Sequence, residues 1–198
     1  MSLTVEKCLQ AWINSLKQMN AKADIVFFGD SLIYYGDFAS VFPNKVVCNL
    51  GLRGDTIQGL IDRVELIKIL SPKAVFVMVG INDVGKLRPS EFSLLYEKMI
   101  NQIIGELCYV KIILLSLLPV NDKDFHVNCS NVQIREYNKE IVSLSAKTGL
   151  SYVDLFVEYI ENGVLRREMT LDGIHLIKEY YKRWYERLSC IHDISDNC

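Results

Sequence analysis

The chain has 198 residues, of which half are hydrophobic, and its 22 basic and 24 acidic side chains leave a formal net charge of −2. A chain of this size buries roughly 70% of the surface that its unfolded form exposes, so the composition predicts one domain over residues 1–198. The near-neutral charge offers no basic face for a phosphate backbone, and we therefore expect no nucleic-acid partner. The apolar content also excludes a disordered chain.

The longest apolar stretches cover residues 25–28, 74–79 and 112–118, far short of the roughly 20 residues that cross a bilayer. The first residues lack the basic start and apolar run of a signal peptide, although a leader removed earlier would leave no trace. The six cysteines include no CxxC pair and no histidine at metal-ligand spacing. We therefore predict reduced thiols in a cytoplasmic location, with Cys48 and Cys108 as small core residues.

Short apolar runs alternate with amphipathic stretches along the chain, which is typical of βα units around a parallel sheet. Five strands are predicted, over residues 24–29, 45–50, 73–79, 110–116 and 151–155. Five helices are predicted to cover the sheet, over residues 4–19, 56–70, 89–107, 131–148 and 178–188. Ser90 and Asn131, or polar residues near them, are the expected N-caps, and Gly149 is the expected helix end. Residues 119–130 form the longest irregular segment, which fits either a functional loop or a solvated connection.

Ligands of open α/β sheets bind beyond the carboxyl ends of the strands, so the residues that follow each predicted strand are the candidates for a site. The first strand runs into Gly29-Asp30-Ser31-Leu32, which places a serine hydroxyl at the turn from strand to helix. Two roles fit Ser31: a nucleophile whose developing charge is stabilised by nearby backbone N–H groups, or an ordinary helix N-cap.

Two further strand ends offer hydrogen-bond donors at the same edge. The second strand is followed by Gly51-Leu52-Arg53-Gly54-Asp55-Thr56, and a glycine such as Gly54 lets the backbone N–H approach an oxyanion closely. The third is followed by Gly80-Ile81-Asn82-Asp83, where Asn82 adds a neutral amide donor. An ordinary turn glycine and an Asx-turn remain the alternatives for these two residues.

An acid and an imidazole lie three residues apart near the C-terminus, in Thr170-Leu171-Asp172-Gly173-Ile174-His175. That spacing lets both side chains emerge on one side of a turn. A carboxylate bonded to one imidazole nitrogen fixes the tautomer, and the other nitrogen can then take a serine proton. Ser31, His175 and Asp172 are therefore a candidate triad, although Asp-x-x-His alone is a weak motif.

Together these four segments resemble the ordered sequence blocks of the SGNH hydrolase superfamily, the esterases and lipases also called the GDSL family. The blocks are Gly29-Asp30-Ser31-Leu32, Gly54 in its loop, Gly80-Ile81-Asn82-Asp83 and Asp172-Gly173-Ile174-His175, and the match as a whole spans residues 24 to 176. Four blocks in order are much more specific than any one of them. Within the family, the chain most resembles small single-domain esterases of the platelet-activating-factor acetylhydrolase-like branch.

The resemblance implies a three-layer α/β/α, flavodoxin-like fold with a five-stranded parallel sheet in the order 2-1-3-4-5. It implies Ser31 as the nucleophile, His175 as the base and Asp172 as its orienting partner. It further implies an oxyanion hole formed by the Ser31 N–H, the Gly54 N–H and the Asn82 side chain. The expected function is hydrolysis of a carboxylic ester, and no metal or organic cofactor is implied. The bulky residues after Ser31 predict a restricted acyl pocket and therefore a short acyl group such as acetyl.

Other residues near these blocks receive weaker assignments. Asp30 and Asp83 are expected to hold their loops by accepting hydrogen bonds rather than to bind a metal, because no cation-loop spacing is present. Arg53 fits either an anionic substrate group or a solvated loop position. Substrate size would be set by the 119–130 loop and by bulky residues near the site, which are Leu32, Ile33, Tyr34, Tyr35 and Val84. His126 and His192 are predicted to be surface histidines.

Several alternatives stay open. A carbohydrate O-acetylesterase would use polar donors on the alcohol side, for which Asn121, Asp122 and Asn128 are candidates. An acyl thioesterase or lysophospholipase is a second alternative within the enzyme class. An inactive flavodoxin-like binding module is the non-enzyme alternative, against which stand the intact triad residues and the absence of a glycine-rich phosphate loop. The aromatic residues of the last helix, which are Tyr180, Tyr181, Trp184 and Tyr185, fit either a homodimer face or packing on the sheet.

Overall fold

A computed structural model of the chain describes residues 3–107 and 110–191, and Cys108, Cys198 and His192 therefore lie outside the described residues. Its centre is a five-stranded parallel sheet in the order β2-β1-β3-β4-β5, which confirms the predicted fold and strand order. The strands are β1 (Ile25–Gly29), β2 (Val47–Gly51), β3 (Ala74–Met78), β4 (Lys111–Leu115) and β5 (Ser151–Val153). A two-stranded antiparallel hairpin, β6 (Ile160–Glu161) and β7 (Val164–Leu165), was not predicted.

Helices cover both faces of the sheet, as the continuous apolar strands require. The helices are α1 (Leu3–Gln18), α2 (Ser31–Tyr34), α3 (Ile57–Asp62), α4 (Glu65–Leu70), α5 (Pro89–Glu106), α6 (Asn131–Thr148), α7 (Phe156–Tyr159) and α8 (Tyr181–Ser189). Alternate strand residues point to opposite faces: Val26 and Phe28 pack with α1 and α3 to α6, whereas Ile25 and Phe27 pack with α2, α7 and α8. The result is three layers with a buried core on each side of the sheet.

The predicted helix over residues 56–70 is wrong in one respect, because it is broken into α3 and α4. Arg63 ends α3 with a φ of −126° and a ψ of 18°, outside helical geometry. Its guanidinium reaches inward and donates hydrogen bonds to the carbonyl oxygens of Leu50 and Gly29. The helix is therefore interrupted at residues 63–64, where the local pattern favours continuity and Arg63 bonds instead to carbonyl oxygens distant in sequence.

The helix ends follow simple capping chemistry, with one correction. Ser90 does not cap α5: the N-cap is Arg88, whose N–H donates to the Glu91 carboxylate at 2.9 Å, and Pro89 occupies the first turn. Ser130 caps α6 with its hydroxyl, and Gly149 ends that helix in the left-handed region, at a φ of 69°.

The aromatic side chains of the last helix pack on the sheet. Tyr181 and Trp184 are buried in the second core, and Tyr180 and Tyr185 pack partly buried against it. Of the two roles left open for these residues, packing on the sheet is the one that the structure shows. No helix within the described residues is long and apolar enough to span a membrane.

Candidate active site

Ser31 lies two residues after the end of β1 and is the first residue of α2. The N-cap of α2 is Asp30, whose Oδ1 accepts a hydrogen bond from the Leu32 N–H at 3.0 Å. Ser31 is therefore not the N-cap, which removes the ordinary role that its sequence position allowed. Ser31 is only 5% exposed, and its hydroxyl is within hydrogen-bond distance of a side chain that is distant in sequence, at the edge of the sheet.

That partner is His175, which lies 144 residues later in the chain. Its Nε2 is 2.8 Å from Ser31 Oγ, and its Nδ1 is 2.5 Å from Asp172 Oδ2. The structure thus brings the three residues of the candidate triad into one continuous hydrogen-bonded series. In this arrangement Nδ1 carries the proton donated to the carboxylate, which leaves Nε2 free to accept the serine proton.

Asp172 is held as a carboxylate by the turn that it begins. Its Oδ1 accepts backbone N–H hydrogen bonds from Ile174 at 3.0 Å and His175 at 2.9 Å. Partial burial by itself would raise the pKa of Asp172, but the bonds from the His175 ring and from the two N–H groups outweigh it and lower that pKa. The carboxylate is consequently charged at neutral pH and able to orient the imidazole.

Thr170 stabilises this turn through its side-chain hydroxyl, a role that the sequence did not indicate. Its buried hydroxyl oxygen accepts the N–H groups of Gly173 at 2.9 Å and Asp172 at 3.3 Å. Gly173 has a φ of 86°, and a Cβ there would lie 2.8 Å from Phe125 and 3.0 Å from the carbonyl oxygen of Asn121. Only glycine therefore fits where the 119–130 segment packs against the turn.

The 119–130 segment supports the turn, and the polar groups of its residue Asn121 are not available to a ligand. The Asn121 N–H donates to the Gly173 carbonyl at 2.8 Å. Its buried side chain accepts the N–H groups of Lys123 and Asp124 and donates to the Asp124 carboxylate. Asn121 is thus occupied within its own loop, and its proposed contact with a sugar substrate is wrong; Asp122 and Asn128 remain on the exposed side of the loop.

The loop after β2 is tied to the nucleophile strand and to Asn82. The Leu52 N–H donates to the Gly29 carbonyl at 3.0 Å, and Asn82 Nδ2 donates to the Asp55 carbonyl at 2.8 Å. Gly54 lies between these two contacts with a φ of 74°, which requires glycine in practice. Asn82 is therefore not part of an Asx-turn: it bridges to a residue 27 positions away.

Arg63 is the buried cation that joins these segments. It pairs with the Asp55 carboxylate at 2.8 Å and donates to the Leu50 and Gly29 carbonyls at 2.7 and 3.0 Å. Arg63 is not among the site residues predicted from the sequence. A signal was present, because Arg63 shares the apolar helix face of Leu60 and Ile67, where an unpaired charge would be costly.

Asp30 and Asp83 accept backbone hydrogen bonds within the site, as expected. Asp83 Oδ2 accepts the Ile57 N–H at 3.1 Å at the start of α3. Burial raises the pKa of Asp30 to about 7 and that of Asp83 to about 6, and nearby Asp55 adds to both shifts. Among the described residues no three acidic, histidine or cysteine side chains are grouped as a metal site would require.

The bulky residues near the nucleophile divide into two groups. Leu32, Ile33 and Val84 are buried in the cores, so the expectation that they line a substrate pocket is wrong. Tyr34 and Tyr35 are exposed beside the site, and the Tyr35 ring meets the His175 ring edge-on with centroids 5.5 Å apart. The Arg53 guanidinium carbon lies 5.8 Å from the centroid of the Tyr35 ring.

The three-layer fold, with a serine, a histidine and an aspartate hydrogen-bonded at the carboxyl edge of the sheet, defines a class of α/β proteins to which many hydrolases belong. The sequence profile of the GDSL-like lipase/acylhydrolase family matches residues 27–183. The chain therefore belongs to this family of hydrolases.

Solved structures with the same fold include three that differ in described activity. A protein from Streptococcus pneumonia described as a platelet activating factor has a TM-score of 0.80 at 23% identity, over 96% of this chain and 99% of that one. A GDSL-like lipase from Bacteroides thetaiotaomicron has a TM-score of 0.74 at 19% identity, over 92% and 95% of the two chains. An acetyl xylan esterase has a TM-score of 0.69 at 22% identity, over 84% and 98%. A sequence comparison with curated proteins finds no match.

Proposed function

We propose that the protein is a serine esterase that hydrolyses carboxylic esters through an acyl-enzyme on Ser31. The observation that carries this proposal is the position of His175, with Nε2 at 2.8 Å from Ser31 Oγ and Nδ1 at 2.5 Å from Asp172 Oδ2. A base within hydrogen-bond distance of a hydroxyl, itself oriented by a third group, is the arrangement that activates a serine nucleophile.

In the first half of the reaction, Ser31 Oγ attacks the ester carbonyl carbon while His175 Nε2 takes the hydroxyl proton. The tetrahedral intermediate then collapses: the bond to the alcohol oxygen breaks, and the protonated imidazole delivers its proton to that oxygen. In the second half, His175 takes a proton from water, whose oxygen attacks the acyl carbon. Collapse of the second intermediate returns the proton to Ser31 Oγ and releases the carboxylic acid.

Three donors are available for the oxyanion of these intermediates. Within the described residues, neither the Ser31 N–H nor the Gly54 N–H has a hydrogen-bond acceptor. The Asn82 amide uses one of its two N–H groups on the Asp55 carbonyl, which leaves the second for a ligand. Donors that are already positioned, and are unpaired before substrate binds, stabilise developing charge without reorganisation.

A short acyl group, such as acetyl, is the proposed preference. The residues that follow Ser31 support this preference, because Leu32 and Ile33 are fully buried in the core and leave no open channel into the core there for a long acyl chain. The sugar-ester alternative is less well supported, because Asn121 is occupied within its own loop. A lysophospholipase or thioesterase would instead prefer long acyl chains or a thiol leaving group.

The test is hydrolysis of para-nitrophenyl acetate, butyrate and octanoate by the wild type, by Ser31→Ala and by Ser143→Ala. Ser143 is exposed on α6 and serves as the matched control. We expect activity in the wild type and the control, loss of nearly all activity in Ser31→Ala, and the highest kcat/KM for the acetate. Equal rates in all three proteins, with circular dichroism showing that each is folded, would contradict the proposal.

A further inference from the structure

A cavity of about 430 Å³ opens on the His175 side of the candidate site. Its walls are mainly apolar and come from Tyr35, Leu171, Ile177 and the ring of Tyr181. The Tyr181 hydroxyl donates to the Leu32 carbonyl at 2.8 Å, so it is turned into the protein and not toward a ligand. The residues that line the cavity do not include Gly54 or Asn82, which places it apart from the proposed oxyanion donors.

The position of the cavity indicates which half of an ester would occupy it. In the proposed mechanism His175 Nε2 delivers a proton to the leaving alcohol oxygen, and proton transfer requires that oxygen to lie within hydrogen-bond reach of Nε2. The alcohol portion therefore lies next to the His175 ring, which also forms part of the cavity wall. This step rests on the proposed esterase function.

Two cations near this cavity lack a carboxylate partner within the described part of the chain. Lys178 lines the cavity, and Arg53 lies over the ring of Tyr35, which also lines it. Exposed cations elsewhere in the described residues are of both kinds: Arg88 pairs with Glu91, whereas Lys98 has no carboxylate partner. What distinguishes Lys178 is its place in the lining of the cavity. Unpaired cations beside an otherwise apolar wall suit a ligand that supplies the missing negative charge.

The lining of the cavity also includes one carboxylate, that of Asp172, which already accepts hydrogen bonds from the protein. Asp172 Oδ2 bonds the His175 ring, and Oδ1 accepts two backbone N–H groups. Lys178 is exposed at the start of the 3₁₀ turn that precedes α8, and it makes no ion pair with Asp172 or with its neighbour Glu179. An incoming anion at Lys178 therefore displaces no existing salt bridge.

We propose that the cavity is the subsite for the alcohol portion of the substrate, and that this alcohol has an apolar body and an anionic group that meets Lys178, with Arg53 nearby. The anionic group is a carboxylate, sulfonate or phosphate. Lys178 and Arg53 contribute to specificity and take no part in bond making.

The effect of an exposed charge is modest and screened by salt. Exposed ion pairs typically contribute up to about 1 kcal/mol, which corresponds to a change of about fivefold in kcat/KM. The preference for an anionic alcohol should therefore weaken strongly when sodium chloride is raised to about 1 M, where the Debye length falls to about 3 Å.

The experiment compares para-acetoxybenzoate with its neutral counterpart para-acetoxybenzamide, each rate being divided by the rate of hydroxide hydrolysis. We expect the wild type to have a higher corrected kcat/KM for the anion than for the neutral ester. The ratio of these two values should fall about fivefold in Lys178→Gln and about twentyfold in Lys178→Glu. Lys182→Gln is the matched control, since Lys182 is an exposed lysine on α8 outside the cavity lining. A second pair, glycerol monobutyrate and its phosphate ester, shows whether a phosphate-bearing glycerol is also selected.

A binding measurement keeps the two proposals separable. Binding of para-hydroxybenzoate and para-hydroxybenzamide to the wild type and to Lys178→Gln is followed by NMR titration, which requires no turnover. Tighter binding of the anion that disappears in Lys178→Gln supports the subsite even if no ester is hydrolysed, in which case only the esterase proposal fails. Equal preference ratios in the wild type, Lys178→Gln and Lys182→Gln overturn the subsite, and Ser31-dependent hydrolysis would then leave the esterase proposal intact.

Discussion

The guanidinium of Arg63 lies 2.8 Å from the carboxylate of Asp55, and both side chains are largely withdrawn from solvent. The same guanidinium donates to the Gly29 and Leu50 carbonyls, at the ends of β1 and β2. The Asp55 carbonyl in turn accepts the Asn82 amide. One buried ion pair therefore fixes the relative positions of the three strand ends that carry Ser31, Gly54 and Asn82.

Replacing Arg63 should destabilise the fold and disturb the site together. Arg63→Met leaves the buried Asp55 carboxylate without its charged partner and removes one donor from each of the Leu50 and Gly29 carbonyls, and breaking a buried pair typically costs about 3–5 kcal/mol. We expect the free energy of unfolding in urea to fall by about that amount. Arg63→Lys should lose less, because it keeps the charge but cannot reach all three acceptors. Arg88→Met, at an exposed pair, should change stability by less than about 1 kcal/mol; a similar small change in Arg63→Met would contradict the role of the buried pair.

The free energy of unfolding should fall as the pH rises from about 4 to about 7, because the pKa of Asp30 is higher in the folded protein than in the unfolded chain. Burial raises the folded-state pKa of Asp30 from 3.8 to about 7, so the folded protein holds this proton more tightly than the unfolded chain does. The stabilisation from Asp30 is therefore complete below about pH 4 and is lost as the pH approaches 7. At 1.36 kcal/mol per unit, the loss is roughly 4 kcal/mol.

Asp30→Asn tests this directly, because the amide keeps an oxygen to accept the Leu32 N–H and has no proton to lose. The free energy of unfolding of the variant, relative to the wild type, should rise between pH 4 and pH 7 and then become constant. Asn101→Ala, at an exposed position on α5 that carries no titratable group, should give a curve parallel to the wild type. Parallel curves for Asp30→Asn as well would show that Asp30 is not a buried carboxyl of raised pKa.

Asn82→Ala should lower turnover by roughly 10²–10³ while the protein remains folded. Removal of one oxyanion donor typically has an effect of this size. The comparison is kcat for an acetate ester in the wild type, Asn82→Ala and Asn101→Ala, the last at an exposed position on α5. An unchanged kcat in Asn82→Ala would remove this residue from the proposed oxyanion hole.

Thr170 should act through the turn that carries Asp172 and His175. Thr170→Val keeps the shape of the side chain but removes the oxygen that accepts the Gly173 and Asp172 N–H groups. We expect kcat to fall about tenfold as the turn loosens, with KM changing much less, because a misplaced base weakens transition-state stabilisation. Thr170→Ser restores the hydroxyl and should recover most of the kcat; failure of this rescue would show that the methyl group, not the hydroxyl, matters.

Local sequence patterns predicted the strands and most of the helices closely, but they did not predict the residues that hold the site in place. The strands lie within two residues of their predicted ends, and Asn131–Thr148 is helical over the predicted range. Continuous apolar runs and helix caps are local signals, which is why these elements could be predicted. The break at Arg63 depends on carbonyl oxygens 13 and 34 residues away, and local periodicity carries no information about them.

The candidate triad could be proposed from the sequence because the four blocks occur in order, but its surroundings could not. The burial of Leu32 and Ile33, the hydroxyl of Thr170 and the cavity beside His175 all depend on packing between distant segments. The prediction of a single domain over residues 1–198 stays a prediction, as does the cytoplasmic location. Cys48 is half-buried rather than fully within the core.

An acyl-enzyme on Ser31 is best tested by the intact mass of the protein during turnover of a para-nitrophenyl acyl ester, with the reaction quenched in acid at early times. We expect a fraction of the wild type to gain the mass of one acyl group and peptide mapping to place this group on Ser31. Ser31→Ala should gain no acyl group and release no para-nitrophenol above background. Ester hydrolysis that persists in Ser31→Ala, or an acyl group found on another residue of the wild type, would rule out the acyl-enzyme on Ser31.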